Sequence, residues 1–197
     1  MIPRQLVLAT AVLLMAATGI SIYAWRMRKG EMRLEPQASA PIAPPPSGPT
    51  ERVTLYVAYD DPGVLLPQTT IIPLPGGRQQ RAEELLRALL QVYQDKSSPH
   101  PLGPGSEVRS VYMVDPGLAV LDLNSAFADG HRSGILVEEL SMASLVQTLA
   151  SNIPGITRVK VLVDGKERET LAGHADLTRF YDVSSVEELM QQMRGAH

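Results

Sequence analysis

The stretch Val108-Arg109-Ser110-Val111-Tyr112-Met113-Val114-Asp115-Pro116-Gly117-Leu118-Ala119-Val120-Leu121-Asp122-Leu123 decides the fold of this chain. Two apolar runs rich in β-branched residues flank Asp115-Pro116-Gly117. In such a turn proline supplies a φ of about −65° and glycine tolerates positive φ. The pattern predicts a β-hairpin, Val108 to Val114 returning as Leu118 to Leu123.

Upstream of the hairpin, Ser97 to Gly105 holds three prolines and two glycines and is expected to be a loop. Before it, Ala82, Leu85, Leu86, Leu89, Leu90 and Tyr93 recur at helical spacing and predict an amphipathic helix from about Arg78 to Asp95. Val53 to Tyr59 alternates as a strand does, and Thr69 to Leu74 reads as a second strand, placed at an edge by Pro73. Downstream, Leu136, Leu140, Ala143, Val146, Gln147 and Ala150 form a stripe on a helix from Ser133 to about Asn152, stopped by Pro154-Gly155. Ile156 to Val163 is expected as a strand turned by Asp164-Gly165, with Glu167 to Leu171 as a returning partner. Ser184 and Ser185, three residues before Glu187 and Glu188, open a terminal helix through Met193. The fold class is therefore α+β: a mixed β-sheet with two amphipathic helices on one face, each helix keeping a polar side in solvent.

A single N-terminal transmembrane helix is expected to precede this fold. Leu6 to Trp25 is uncharged and mostly apolar, and about twenty such residues span a bilayer core. Apolarity continues past Ala16-Ala17-Thr18-Gly19 through Ile20, Ile22, Tyr23 and Trp25, which is longer than a cleaved signal peptide requires. Residues 1–30 then form a membrane anchor, 31–51 a Pro-rich linker, 52–183 the folded domain and 184–197 a C-terminal helix. Arg26, Arg28, Lys29 and Arg33 follow the span while Arg4 alone precedes it, so the positive-inside rule taken by itself puts the domain in the cytoplasm.

Composition excludes several functions. The first fifty residues carry net +3 and the remainder net −6, with no basic run, which argues against nucleic acid as a partner. The chain has no cysteine, so thiol catalysis, thiolate metal sites, disulfides and a lipidated cysteine are all ruled out. Gly76-Gly77 and Gly103-Pro104-Gly105 match no phosphate-binding loop. Asp122-Leu123-Asn124 and Asp129-Gly130-His131 read as caps and turns, and adjacent Glu138 and Glu139 point in different directions on their helix. His174 with Asp176 is the strongest chemical candidate, but His100, His131 and His197 are scattered in sequence and no nucleophile elbow accompanies the pair. The expected catalytic, cofactor-binding and metal-binding sets are accordingly all none, with no cofactor.

In order and spacing, four segments resemble the sporulation and spore-germination domain of the GerMN type. They are the hairpin through Asn124, the helix carrying Leu145-Val146-Gln147-Thr148-Leu149, the strand and turn Val159-Lys160-Val161-Leu162-Val163-Asp164-Gly165, and Glu169-Thr170-Leu171-Ala172-Gly173-His174. The resemblance covers about residues 52–182. It implies a bacterial, extracytoplasmic, non-enzymatic α+β domain, similar in outline to ring-building modules of envelope complexes. This chain departs from the family's namesake in having one copy of the domain and an apolar anchor in place of a lipidated cysteine.

The resulting expectation is a single-pass protein of the bacterial inner membrane, its domain extracytoplasmic. The domain would bind an envelope protein or peptidoglycan through a sheet edge or through the irregular stretches 95–106 and beyond Gly173. The 97–105 loop is expected to be dispensable for folding, and homo-oligomerisation stays open. One alternative is an envelope hydrolase or metal-dependent enzyme using His174 with Asp176 or Asp122. Another is a membrane adaptor facing the cytoplasm.

Overall fold

The computed structural model describes residues 48–114 and 116–195, all within one unit that begins at Pro46. The chain runs β1 (Thr50–Tyr59), β2 (Val64–Pro73), α1 (Arg78–Gln94), β3 (Val108–Val114), β4 (Leu118–Leu123), α2 (Ser125–Asp129), α3 (Ile135–Asn152), β5 (Arg158–Val163), β6 (Tyr181–Asp182) and α4 (Val183–Gly195). The α+β class is as expected, and β3 and β4 occupy the residues their pattern predicted. Gly117 turns them with φ of 78°, and a Cβ there would lie 2.7 Å from Gly155 O, so only glycine fits.

The single mixed sheet is corrected to two. β1 and β2 form a separate antiparallel hairpin, whereas the mixed sheet has the order β3-β4-β5-β6, with β4 and β5 parallel and the outer pairs antiparallel. The reason lies in α3. Thr148 Oγ1 accepts from Tyr56 N–H at 2.9 Å, and Ser144 Oγ donates to Tyr56 O at 2.6 Å. Asn152 accepts from Thr54 N–H at 3.3 Å and donates to Thr54 O at 2.7 Å. Ala58 N–H is taken by Tyr93 Oη at 2.8 Å. Side chains thus fill the edge of β1 that another strand would need, and backbone groups so satisfied cannot extend the sheet. The edge of β3 is touched in the same way, Val111 N–H donating to Glu83 of α1 at 3.4 Å.

The second correction concerns α3 itself. Helix α1 is amphipathic as read, burying Ala82, Leu85, Leu86, Leu89, Leu90 and Tyr93. Helix α3 is not, because every residue from Leu140 to Leu149 is buried, whichever side of the helix it occupies. Ser141, Ser144 and Thr148 there face partners within the protein, whereas Gln147 Oε1 is buried without one. Other differences are local. β2 begins at Val64, ahead of the predicted Thr69, because the hairpin register carries through Pro67, opposite Tyr56. The returning strand Glu167 to Leu171 is absent: Asp164 (φ 51°) and Gly165 (φ 72°) make a tight turn, after which only the isolated bridges Val163 to Lys166 and Thr170 to Asp176 form. Helix α2 lies between the two stretches expected as caps and turns, and Asn124 caps it by accepting from Phe127 N–H at 3.0 Å. Helix α4 starts at Val183, ahead of the predicted serine cap, and buries Val186 and Met190.

No described helix is long and apolar enough to cross a membrane. The expected anchor, residues 1–30, and linker residues 31–47 lie outside the described residues, while β1 starts at Thr50 within the stretch read as linker. Thr148→Val keeps the shape of the side chain but removes its hydroxyl from Tyr56 N–H. Chemical denaturation should show a loss of about 1–3 kcal/mol with an unchanged m-value.

Candidate functional site

Buried charges, rather than regular structure, shape the surface loops. Glu138 sits in the first turn of α3 and is completely buried. Its carboxylate accepts from the backbone N–H groups of Ala172 (3.0 Å), His174 (2.9 Å) and Ala175 (2.9 Å), and from Gly134 N–H at 3.1 Å. His174 Nδ1 lies 2.9 Å from Glu138 Oε1. Burial by itself raises the Glu138 pKa, but His174 and the converging N–H groups outweigh it and hold the carboxyl down to about 2. A charge-assisted hub of this kind fixes a segment that has almost no ladder of its own.

Two further charges complete the task. Lys160 of β5 donates to Leu177 O (3.0 Å) and Thr178 O (2.7 Å) and pairs with Glu167 at 3.0 Å. Asp122 of β4 accepts from Gly165 N–H at 2.7 Å and lies 3.7 Å from Arg109, which reaches Asp164 at 3.0 Å. Leu171, Ala175 and Leu177 enter the core beside these polar anchors. Residues 164–180 are therefore irregular yet tied down along their length.

The structure spends the proposed chemical residues on this architecture. His174 and Asp176 do not form a shared site: His174 pairs with Glu138, whereas Asp176 Oδ1 accepts from Thr178 N–H (2.8 Å) and Oγ1 (2.6 Å). Glu138 and Glu139 diverge as read, Glu139 meeting Arg179 at 3.2 Å. Asp129 pairs with Arg168 at 2.7 Å. Among the described residues, no three His, Cys, Asp or Glu side chains gather closely enough to hold a metal ion.

Reading the sequence missed a second cluster. His100 and His131, far apart in the chain, both place Nε2 at 2.6 Å from Ser141 Oγ, and His100 Nδ1 lies 2.6 Å from Asp60 Oδ1. Arg132 reaches the other Asp60 oxygen. The order Asp-His-Ser resembles a nucleophile with its base, but Ser141 lies within α3 and both it and His100 are buried, so no substrate carbonyl reaches it. The 97–105 loop thus sends a buried side chain into the fold. The one available signal was Pro99-His100-Pro101, a histidine held between two prolines.

One surface open to a partner is the outer face of the four-stranded sheet. Register places Tyr112, Val120 and Lys160 in one row and Val114, Leu118 and Arg158 in the next, opposite in sense to buried Val111, Leu121 and Val161. Tyr112 and Val114 are about half exposed, at 51% and 45%. Phe180, 46% exposed, lies with its ring 5.3 Å from the Arg158 guanidinium and 5.8 Å from Lys160 Nζ.

A two-sheet α+β domain of buried hydrogen-bond hubs, with an open aromatic sheet face, defines the class. Residues 54–169, more than half of the chain, match the Germane family of sporulation and spore germination, and the chain belongs to that family. The solved structures that the chain is similar to include the following. A candidate lipoprotein from Clostridium perfringens has 19% identity and a TM-score of 0.48, over 75% of this chain and 96% of that one. The tandem GerMN domains of the Bacillus subtilis sporulation protein GerM have 20% identity and a TM-score of 0.49, over 66% of this chain and 44% of theirs. The first of those domains alone has 21% identity and a TM-score of 0.46, over 64% of this chain and 92% of that one. No curated protein matches the sequence.

Glu138→Gln tests the hub. It should cost on the order of 3 kcal/mol in denaturant melts, since a charged acceptor facing several N–H groups is replaced by an amide. In the native chain the Glu138 contribution is fully present above the ordinary carboxyl value of 4.5 and should fade as pH falls from there toward 2. The variant should lack that part of the acid dependence.

Proposed function

We propose that this chain is a non-enzymatic, membrane-anchored protein of the bacterial envelope, whose Germane domain binds a protein partner or the cell wall. The observation that carries the reading is the contrast between spent and unspent residues. Acidic and imidazole groups that could do chemistry are committed to holding loops, whereas Tyr112, Val114 and Phe180 lie open on a rigid sheet face. Aromatic and aliphatic side chains on a braced surface are suited to binding, and loops positioned by a scaffold are where binding residues concentrate. The apolar run Leu6 to Trp25, long enough for a bilayer core, supports an anchor in this reading. The domain lies outside the cytoplasm on this reading, against the flanking positive charges.

The double variant Tyr112→Ser with Phe180→Ser alters only half-exposed side chains and should fold normally. In living cells it should reduce the cross-linked partner yield several-fold relative to the native chain; equal yield would remove this face from the reading. Protease added to intact cells and to spheroplasts should cleave the domain only in the latter if it lies beyond the inner membrane of a double-membraned cell. Protection in both would support the cytoplasm-facing adaptor.

A further inference from the structure

Counting the protons in the Asp60, His100, Ser141 and His131 cluster shows that neutral rings do not suffice. His131 Nδ1 lies 2.8 Å from Arg132 O, which only accepts, so that nitrogen carries hydrogen. His100 Nδ1 faces the Asp60 carboxylate, also an acceptor, so it carries hydrogen too. With both rings neutral, both Nε2 atoms are bare acceptors, and each is 2.6 Å from the same Ser141 hydroxyl, which has one proton. One contact would then set a nitrogen lone pair against an oxygen lone pair inside the protein, at the cost of an unsatisfied buried group.

We propose that this bridge holds one proton more than its neutral rings supply, lodged on His100, and works as a pH-sensitive clamp. His100 then donates from both nitrogens, to Asp60 and to Ser141. Ser141 donates to His131 Nε2, and His131 Nδ1–H donates to Arg132 O. Every donor finds an acceptor. The clamp ties together the turn after β1, the 95–106 loop, the connection before α3 and α3 itself.

The groups facing the bridge divide. Burial takes His100 down to about 4, below the ordinary histidine value, and Arg132 draws on the same Asp60 carboxylate. Against this, that carboxylate touches His100 directly, whereas the outer partner of His131 is an uncharged carbonyl. His131 is held below the ordinary histidine value, by burial first and by His100, against the opposing pull of the Arg132 carbonyl and Glu138. Tyr93, edge-on to His100 at 4.9 Å, is neutral, its pKa pushed up to about 12 by burial. A proton bound more tightly in the folded than in the unfolded chain stabilises the fold fully below the ordinary histidine value of about 6.5. That stabilisation is lost as pH rises through the folded-state value, and the 95–106 loop loosens there.

The chain has four histidines, so a full-length sample labelled at histidine with 15N and held in detergent micelles gives few signals. Long-range proton–nitrogen correlation from pH 5 to 8.5 should show His100 protonated on both nitrogens at pH 7 and His131 as the neutral Nδ1–H form. Asp60→Asn should weaken proton binding at His100 tenfold or more. A neutral His100 throughout that range overturns the proposal, as does a charge found on His131 instead. The native-chain spectrum decides the matter even if the variant fails to fold.

Discussion

A helix whose middle is buried on every side must set most of its polar groups against the rest of the protein, and that constraint organises this one. Glu138, Ser141, Ser144, Thr148 and Asn152 of α3 are three or four residues apart, so they line one face. From the N-terminal end, that stripe meets the 172–175 backbone, two imidazoles, the Tyr93 hydroxyl and then the edge of β1. Each contact exchanges a water for a protein partner, with a modest net gain. Leaving any of them unmade inside the core would be far more costly. The same rows of side chains that satisfy the helix also decide where the first hairpin stops.

Much of the fold was legible because local patterns and tertiary burial agree there. Period-two alternation and a Pro-Gly turn locate β3 and β4, and the Leu85, Leu86, Leu89 and Leu90 repeat locates α1. The pattern misleads where polar residues are internal. Ser141, Ser144 and Thr148 look like a solvated helix face, since nothing local distinguishes a side chain facing water from one facing a strand edge. The split into two sheets follows from those same residues and was hidden with them. Lys160 is another case of an internal polar residue: it is buried and donates to Leu177 O and Thr178 O.

The candidate site was legible only in outline. The segment beyond Gly173 was correctly singled out as irregular, and Phe180 within it lies on the open face. The 95–106 stretch, with the same prolines and glycines, conceals a buried histidine instead. Loop composition reports the absence of a ladder, but not whether the loop is tied down by something distant. Asp60 and Ser141 lie 40 and 41 residues from His100, and no local pattern couples such positions. His174 and Asp176 stand out by adjacency, and the fold gives them separate partners, Glu138 and Thr178.

The plugged edges of β1 and β3 bear on crowding. Strands with open backbone invite copies of themselves to join, which is how fibrils start. Here Ser144, Thr148 and Asn152 close one rim and Glu83 obstructs another, so many such molecules can stand shoulder to shoulder without those strands recruiting their neighbours.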